Sequence, residues 1–354
     1  MKLFLKILKW IGLSIGSVLV LIILSGLMFR LFKAKSYEPK GKLVDVGGVK
    51  LHINSYGEKS PQKPTLVIEG GSGTPEEYYH WLSEGLKDSM RVVRYDRAGI
   101  GYSDACRTPR DPETISHELH TLLEKAGEKP PYIMAGHSIG GSFIRVFTQL
   151  YPDEVEALVF MDCTHPDRVE KLDLPKQNSP TMKLMVKSYY ALGILADMGI
   201  LGLYESIWGR ILPGDGLPQD VNDRITAFTH EGMLARTAAM ELEHYHTNLE
   251  RAAETTDFGS RPIRVFVGGQ PMSEAGKEFY RKKGMDPDEA GQINLNLHKD
   301  FANLSSDGEV FILNGTHTSI YTKKENADVI CREILELLDA RPNSSVIEMP
   351  IAEN

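Results

Sequence analysis

Residues 132–141 read Tyr132-Ile133-Met134-Ala135-Gly136-His137-Ser138-Ile139-Gly140-Gly141. The first four are mostly apolar and read as a buried strand. Residues 139–147, Ile139-Gly140-Gly141-Ser142-Phe143-Ile144-Arg145-Val146-Phe147, read as the helix that follows. Between them lies Gly-x-Ser-x-Gly, a strand-to-helix turn too sharp for side chains at its flanks. Gly136 and Gly140 let two backbones approach, and Ser138 is expected in a strained, exposed conformation at the tip. The pattern is short, and its context of strand before and helix after gives it weight.

The 354 residues, 42% hydrophobic and 25% charged, suffice for one large core and an inserted subdomain. A net charge of −8 argues against a nucleic-acid partner, which needs a basic stripe. The three cysteines, Cys106, Cys163 and Cys331, are widely spaced; they form no metal pattern and suggest no disulfide framework.

Trp10 to Phe29 carries no charge, enough as a helix to cross a hydrocarbon core of roughly 30 Å. Residues 1–9 form a short basic tail before it, and 30–42 a polar tether after it. The run is long for a secretory signal and lacks a convincing small-x-small cleavage site, so it is expected to stay as a single-pass anchor. Basic residues flank both ends; the short tail leans the rest of the chain towards the extracytoplasmic side.

From Leu43 onwards, short apolar strands alternate with helical segments, which implies a mostly parallel sheet covered on both faces. Leu43–Val46 and Val49–Asn54 flank Gly47-Gly48 as a hairpin. Thr65–Glu69 stops at Gly70-Gly71-Ser72-Gly73, and Arg91–Tyr95 empties into Asp96–Asp104. Asp111 as N-cap, Pro112 in the first turn and Gly127 past the end bracket a helix. Ala157–Asp162, Pro262–Val267 and Val310–Leu313 are further strands, and Ala327–Leu338 a closing helix. Residues 165–257 break the alternation and are expected to form a helical cap, dividing the core into 43–164 and 258–340. Leu192–Trp208 is apolar enough to suggest a second span, but Asp197, Glu205 and its glycines favour a cap helix. Residues 341–354 are expected to be a disordered tail.

A serine hydroxyl is a poor nucleophile at neutral pH and needs a base within reach, itself oriented by a third group. His317 sits just past the last strand in Asn314-Gly315-Thr316-His317-Thr318, at the sheet edge where ligands of open α/β sheets bind. It is the expected base. His137, beside the serine, should turn away from it and pack. His244 and His246, two positions apart on a helix, do not share a face and do not suggest a metal. For the acid, Asp162 ends the strand after the nucleophile strand; Glu274, after the strand 262–267, is the alternative. Acyl transfer also needs donors aimed at the developing oxyanion. The expected pair is the backbone N–H of Ile139 and that of Gly71 in the glycine loop.

With these residues in place the chain resembles the α/β-hydrolase superfamily, from about Leu43 to Leu338 apart from the cap. The resemblance rests on Gly-His-Ser-Ile-Gly-Gly at 136–141, Tyr-Asp-Arg-Ala-Gly-Ile-Gly-Tyr-Ser at 95–103, the glycine loop at 70–73 and Gly-Thr-His at 315–317. It implies an eight-stranded sheet, two-step hydrolysis through an acyl-enzyme and no cofactor, with residues 96–103 packing beneath the site in a structural role. Two departures stand out. Glu69 occupies a position where many relatives have histidine, and the usual acid after the penultimate strand is missing. The second is similar to lipases whose acid ends the preceding strand, which favours Asp162. The expected function is a membrane-anchored serine hydrolase acting on a small-molecule or lipid-like carboxylic ester. The alternatives are an aminopeptidase similar to proline iminopeptidases and a catalytically silent binding module.

Overall fold

The computed structural model describes residues 1–32, 37–212 and 214–339. The whole of the expected tail, 341–354, and part of the tether lie outside the described residues.

The chain begins with α1 (Lys2–Phe32) and the hairpin β1 (Lys42–Asp45) and β2 (Lys50–Tyr56). Then come β3 (Thr65–Glu69), α2 (His80–Leu86), β4 (Arg91–Asp96), α3 (Pro112–Ala126), β5 (Tyr132–His137), α4 (Gly140–Leu150) and β6 (Val155–Met161). A helical excursion follows: α5 (Arg168–Lys171), α6 (Pro180–Asp197), α7 (Ile200–Trp208), α8 (Gln219–Thr229), α9 (Gly232–Glu243) and α10 (Tyr245–Ala253). The chain returns through β7 (Ile263–Gly268), α11 (Glu274–Lys282), α12 (Pro287–Ala302), β8 (Gly308–Leu313), α13 (Ser319–Thr322) and α14 (Lys324–Asp339).

The eight strands form one sheet in the order β1-β2-β4-β3-β5-β6-β7-β8. β1–β2 and β2–β4 are antiparallel, and every pair from β4 to β8 is parallel. This is the expected mostly parallel, eight-stranded architecture. Why the central strands read as continuous apolar runs is visible in their alternation. Val67, Val93, Met134, Leu158 and Val265 point to one face, beneath Leu119 and Leu122 of α3, Phe147 of α4 and Phe301 of α12. Leu66, Val92, Ile133, Val159 and Phe266 point to the other, beneath Leu82 of α2 and Ile330 and Ile334 of α14. Both faces are covered, so both sets of alternate residues are mainly apolar; Arg94 of β4 is a buried exception and pairs with Glu76 at 2.7 Å. β5 lies in the middle of the sheet, and its carboxyl end delivers residue 138.

Two sequence expectations are corrected, and one stretch for which no element was expected proves helical. The apolar N-terminal helix is longer than residues 10–29: it starts at Lys2, and Leu3–Phe32 forms one candidate membrane span. Residues 2–9 are helical too: lysine and leucine both favour the helix, and no glycine or proline among these residues stops propagation. The run 192–208 is not one helix: α6 and α7 meet at an angle of 84° about Met198 and Gly199, and Gly199 takes a left-handed φ of 73°. Two helices, α11 and α12, also fill the connection from β7 to β8. They are signalled by Ser273, whose side chain caps Gly276 N–H, and by Asp286 before Pro287.

Candidate active site

Ser138 occupies the step between β5 and α4 with φ of 55°, a left-handed conformation that a residue with a Cβ adopts only under constraint. The constraint is visible in the backbone. The Ser138 carbonyl accepts from Gly141 N–H at 3.2 Å and Thr164 N–H at 3.0 Å, which pins the turn from both sides. The flanking glycines are sterically required. A Cβ on Gly136 would fall 2.8 Å from the Gly140 backbone, and one on Gly140 would fall 2.6 Å from the Glu69 carbonyl oxygen.

Asp162 follows β6, the strand beside β5, and also has a positive φ, 47°. Its carboxylate accepts from His317 Nδ1–H at 2.6 Å and from Gly268 N–H at 2.9 Å. Since a carboxylate can only accept, this bond puts the proton of a neutral His317 on Nδ1 and leaves Nε2 with its lone pair. Burial would raise the Asp162 pKa, but the hydrogen bond and charge of His317, with His298 and Gly268 N–H, outweigh it. The carboxyl stays well below its ordinary range. Half of the His317 side chain is exposed, while Asp162 is nearly covered. The pair therefore presents one wet imidazole backed by one dry carboxylate.

Glu274 is placed elsewhere. It opens α11 with its side chain 78% exposed and pairs with Lys277 at 2.7 Å. His298 of α12 was not foreseen: it is buried, with Nε2 3.6 Å from the second Asp162 oxygen. Burial lowers its pKa against the attraction of Asp162. No local pattern marks it; only α12's packing across the end of the sheet brings it there.

His137 is buried, and Nε2–H donates to the His317 carbonyl at 3.2 Å. Nδ1 is then the acceptor, and the Tyr79 hydroxyl lies 3.3 Å from it. Burial and the neighbouring His317 hold its pKa well below the ordinary value. Gly71 N–H donates to the same Tyr79 oxygen at 3.3 Å. A neutral buried network thus joins the loop carrying His317 to the glycine loop.

Arg97 holds that glycine loop from the other side. Its guanidinium donates to the carbonyls of Gly70 (2.6 Å) and Gly71 (2.8 Å), to Glu69 (2.5 Å) and to Glu241 of α9 (2.8 and 3.0 Å). All three charged side chains are at most 3% exposed. Burial pushes the Glu69 pKa up, offset by Arg97 and by the Tyr95 hydroxyl, which donates to it. The two carboxylates keep Arg97 more firmly protonated than usual, overcoming the effect of burial. Glu69 is thus not a substitute for a histidine facing the site. It is the buried counter-ion of a cation that shapes the loop.

Beside the glycine loop lies a cavity of about 350 Å³ between the loop and the helical excursion. Ser72 and Gly73 form one wall; Leu192 and Ala196 of α6, Leu201 of α7 and Leu234 of α9 form much of the rest. The wall is mostly apolar, and Glu231 is the one charged residue among the described residues that line it.

Residues 63–198 match the family model of the alpha/beta hydrolase fold. The chain is 32% identical over 174 residues to the uncharacterized protein YbdG of Bacillus subtilis, covering 48% of this chain and 53% of that one. It thus spans about half the length of that curated relative. Among solved structures, a putative acyltransferase from Salmonella enterica superposes with a TM-score of 0.62 at 16% identity, over 86% of this chain and 98% of that one. An esterase from Thermogutta terrifontis superposes with a TM-score of 0.54 at 18% identity, over 86% and 99%. These likenesses bear out the resemblance read from the sequence.

Arg97→Ala is expected to lower unfolding stability by about 3–5 kcal/mol, because Glu69 and Glu241 lose their buried partner. Urea denaturation of the variant beside the wild type checks this; a loss under 1 kcal/mol would mean water reaches the cluster. Acid should also destabilise the fold. Burial depresses the His165 pKa from 6.5 to about 4. A histidine depressed in the folded state contributes stability that is complete above pH 6.5 and is lost as pH falls towards 4. His165→Asn should flatten the pH dependence of the urea midpoint across that window; an unchanged slope would assign it to other groups.

Proposed function

We propose that this chain, whose fold is that of the α/β hydrolases, is a membrane-anchored serine hydrolase that cleaves a carboxylic ester. The observation that carries the reading is the 2.6 Å bond from His317 to the largely covered Asp162, at the same sheet edge as the strained Ser138. In this reading Ser138 is the nucleophile, His317 the general base and Asp162 the group that orients the base and stabilises its charged form. Ser138 Oγ attacks the ester carbonyl while its proton passes to His317 Nε2. The imidazolium then returns that proton to the leaving alkoxide, and an acyl-enzyme remains. Water, deprotonated by the same nitrogen, attacks the acyl carbon, and Ser138 leaves with the proton restored.

Negative charge on the carbonyl oxygen is stabilised by the N–H groups of Ile139 and Gly71. Gly71 N–H is held by a long bond to a neutral phenol. An alkoxide is the stronger acceptor and takes it over. The apolar cavity beside the loop suits an acyl chain, and α1 keeps the site near lipid.

One observation favours an aminopeptidase instead: Glu231 in the cavity wall would pair with a free α-amino group. Against it, Glu241 is committed to Arg97, and Glu205 to Thr229 and His230. Release of proline from a Pro-anilide would move the assignment to that class.

With p-nitrophenyl esters, Ser138→Ala is expected to lose roughly 10⁴-fold or more in kcat, and Asp162→Asn roughly 10³–10⁴-fold. Equal rates for Ser138→Ala and wild type would end the serine-hydrolase reading. Failure of a fluorophosphonate to label Ser138 would point to a silent binding module.

A further inference from the structure

The first helix does not stand apart from the rest of the chain. Near its end, Gly26 packs directly on the bend between α6 and α7: a Cβ there would lie 2.5 Å from the Met198 carbonyl oxygen. A Cβ on Gly199 would in turn lie 2.0 Å from the Gly26 carbonyl oxygen. Three residues on, Phe29 covers Gly202 and meets the His230 ring edge-on at 5.3 Å. The next residue, Arg30, donates to the Asp197 carbonyl and pairs with its carboxylate at 3.5 Å. Asp197 also accepts from Gly232 N–H at 3.0 Å and Arg236 at 2.5 Å, so the contact is tied into α9.

These contacts fix a level. Residues 3–25 of α1 precede the junction, and as a helix they measure roughly 34 Å, about one hydrocarbon thickness. If they cross the bilayer, the bend at Met198–Gly199 sits at the membrane surface. The contacts advance together, 26 with 199 and 29 with 202, so α7 runs beside α1 in the same direction, away from the membrane. α6 meets α7 at 84° and therefore lies close to the membrane plane.

The exposed surface of this elbow is what such a placement needs. On α6, the helix that lies along the membrane in this placement, Leu184, Ile194 and Leu195 are all exposed, Ile194 by 58%. Lys183 and Lys187 stand on the exposed side of α6, where their ammonium groups can reach lipid phosphates. Scattered apolar side chains on a surface need no explanation; a group on one helix beside the end of a candidate span does.

We propose that the α6–α7 elbow is a lipid-facing surface: the last turns of α6 and the bend lie in the interface of the leaflet where α1 emerges. The inference rests on α1 spanning the membrane, as proposed above. Its consequence for the site is direct. Leu192, Ala196 and Leu201, on the same two helices, line the apolar cavity beside the glycine loop. An ester with a long acyl chain would then pass from the leaflet into the cavity without its chain crossing water.

The test uses nitroxide labels on the full chain in phosphatidylcholine vesicles, in a Cys106→Ser background because the other two cysteines are buried. Labels are placed singly by Leu195→Cys, by Ile15→Cys in α1, and by Glu58→Cys in the exposed turn before β3. For each, the collision rate with oxygen, which concentrates in lipid, is compared with that of a water-soluble nickel chelate. The oxygen-to-nickel ratio at Leu195→Cys is expected to exceed that at Glu58→Cys severalfold and to approach that at Ile15→Cys. A lipid-like ratio at Ile15→Cys with an aqueous one at Leu195→Cys would overturn the inference and leave the anchor intact. An aqueous ratio at Ile15→Cys would remove both, starting with the span.

Discussion

Arg97 is the residue on which the separate parts of the molecule converge. One guanidinium, at most 3% exposed, binds Glu69 at the end of β3, the carbonyls of Gly70 and Gly71, and Glu241 in the helical excursion. A guanidinium has five donors in a rigid plane, so it can fix the direction of two consecutive peptide planes and still satisfy two carboxylates. Lysine, a single compact charge on a flexible stem, could not impose that geometry. Turning the Gly70 and Gly71 carbonyls towards Arg97 fixes the two peptide planes and so constrains where the N–H groups of Gly71 and Ser72 point. Excursion and glycine loop are therefore parts of one electrostatic unit, and displacing α9 would expose a buried charge as well as apolar surface.

The two chemically loaded strand ends share a second constraint. Ser138 and Asp162 terminate neighbouring parallel strands, and both have positive φ. Such conformations persist only where surrounding hydrogen bonds over-determine them. For Ser138 these come from Gly141 and Thr164; for Asp162, from its own N–H to the Phe266 carbonyl at 2.7 Å and from Gly268 N–H to its side chain. The strain sits where a side chain must leave the sheet plane, and the rigid parallel ladder beneath absorbs it.

What could be read from the chain was whatever depends on nearby residues. Gly136 is required for a reason internal to its own turn, the Gly140 backbone lying against it, and the central strands announce themselves because two covered faces favour apolar runs. Asp162 and Glu274 could be weighed as carboxylates at strand ends, but which lies beside His317 depends on α11 carrying Glu274 into solvent. His298 and Tyr79 carry no local mark; each reaches its neighbour through packing of distant elements. The resemblance implied a structural role beneath the site for residues 96–103, yet nothing local said that Arg97 would hold the glycine loop and the excursion at once. Glu69 looked like a departure from a pattern and is intelligible only with its partner in view.

The polar side of the site and its apolar side follow from the same division of labour. Arg97, His137 and Tyr79 lie inside and order backbone groups around Ser138, so they tolerate no water. The excursion has the opposite task on its outer surface, where α6 and α7 expose large apolar side chains while their inner residues line a cavity of about 350 Å³. Had α6 and α7 formed one straight helix, its apolar length would have suited a second span and left the glycine loop uncovered. The bend at Gly199 turns that apolar length into a roof, and the junction with Gly26 fixes where the roof sits relative to the first helix. One glycine with a left-handed φ thus separates a membrane-crossing solution from a site-covering one.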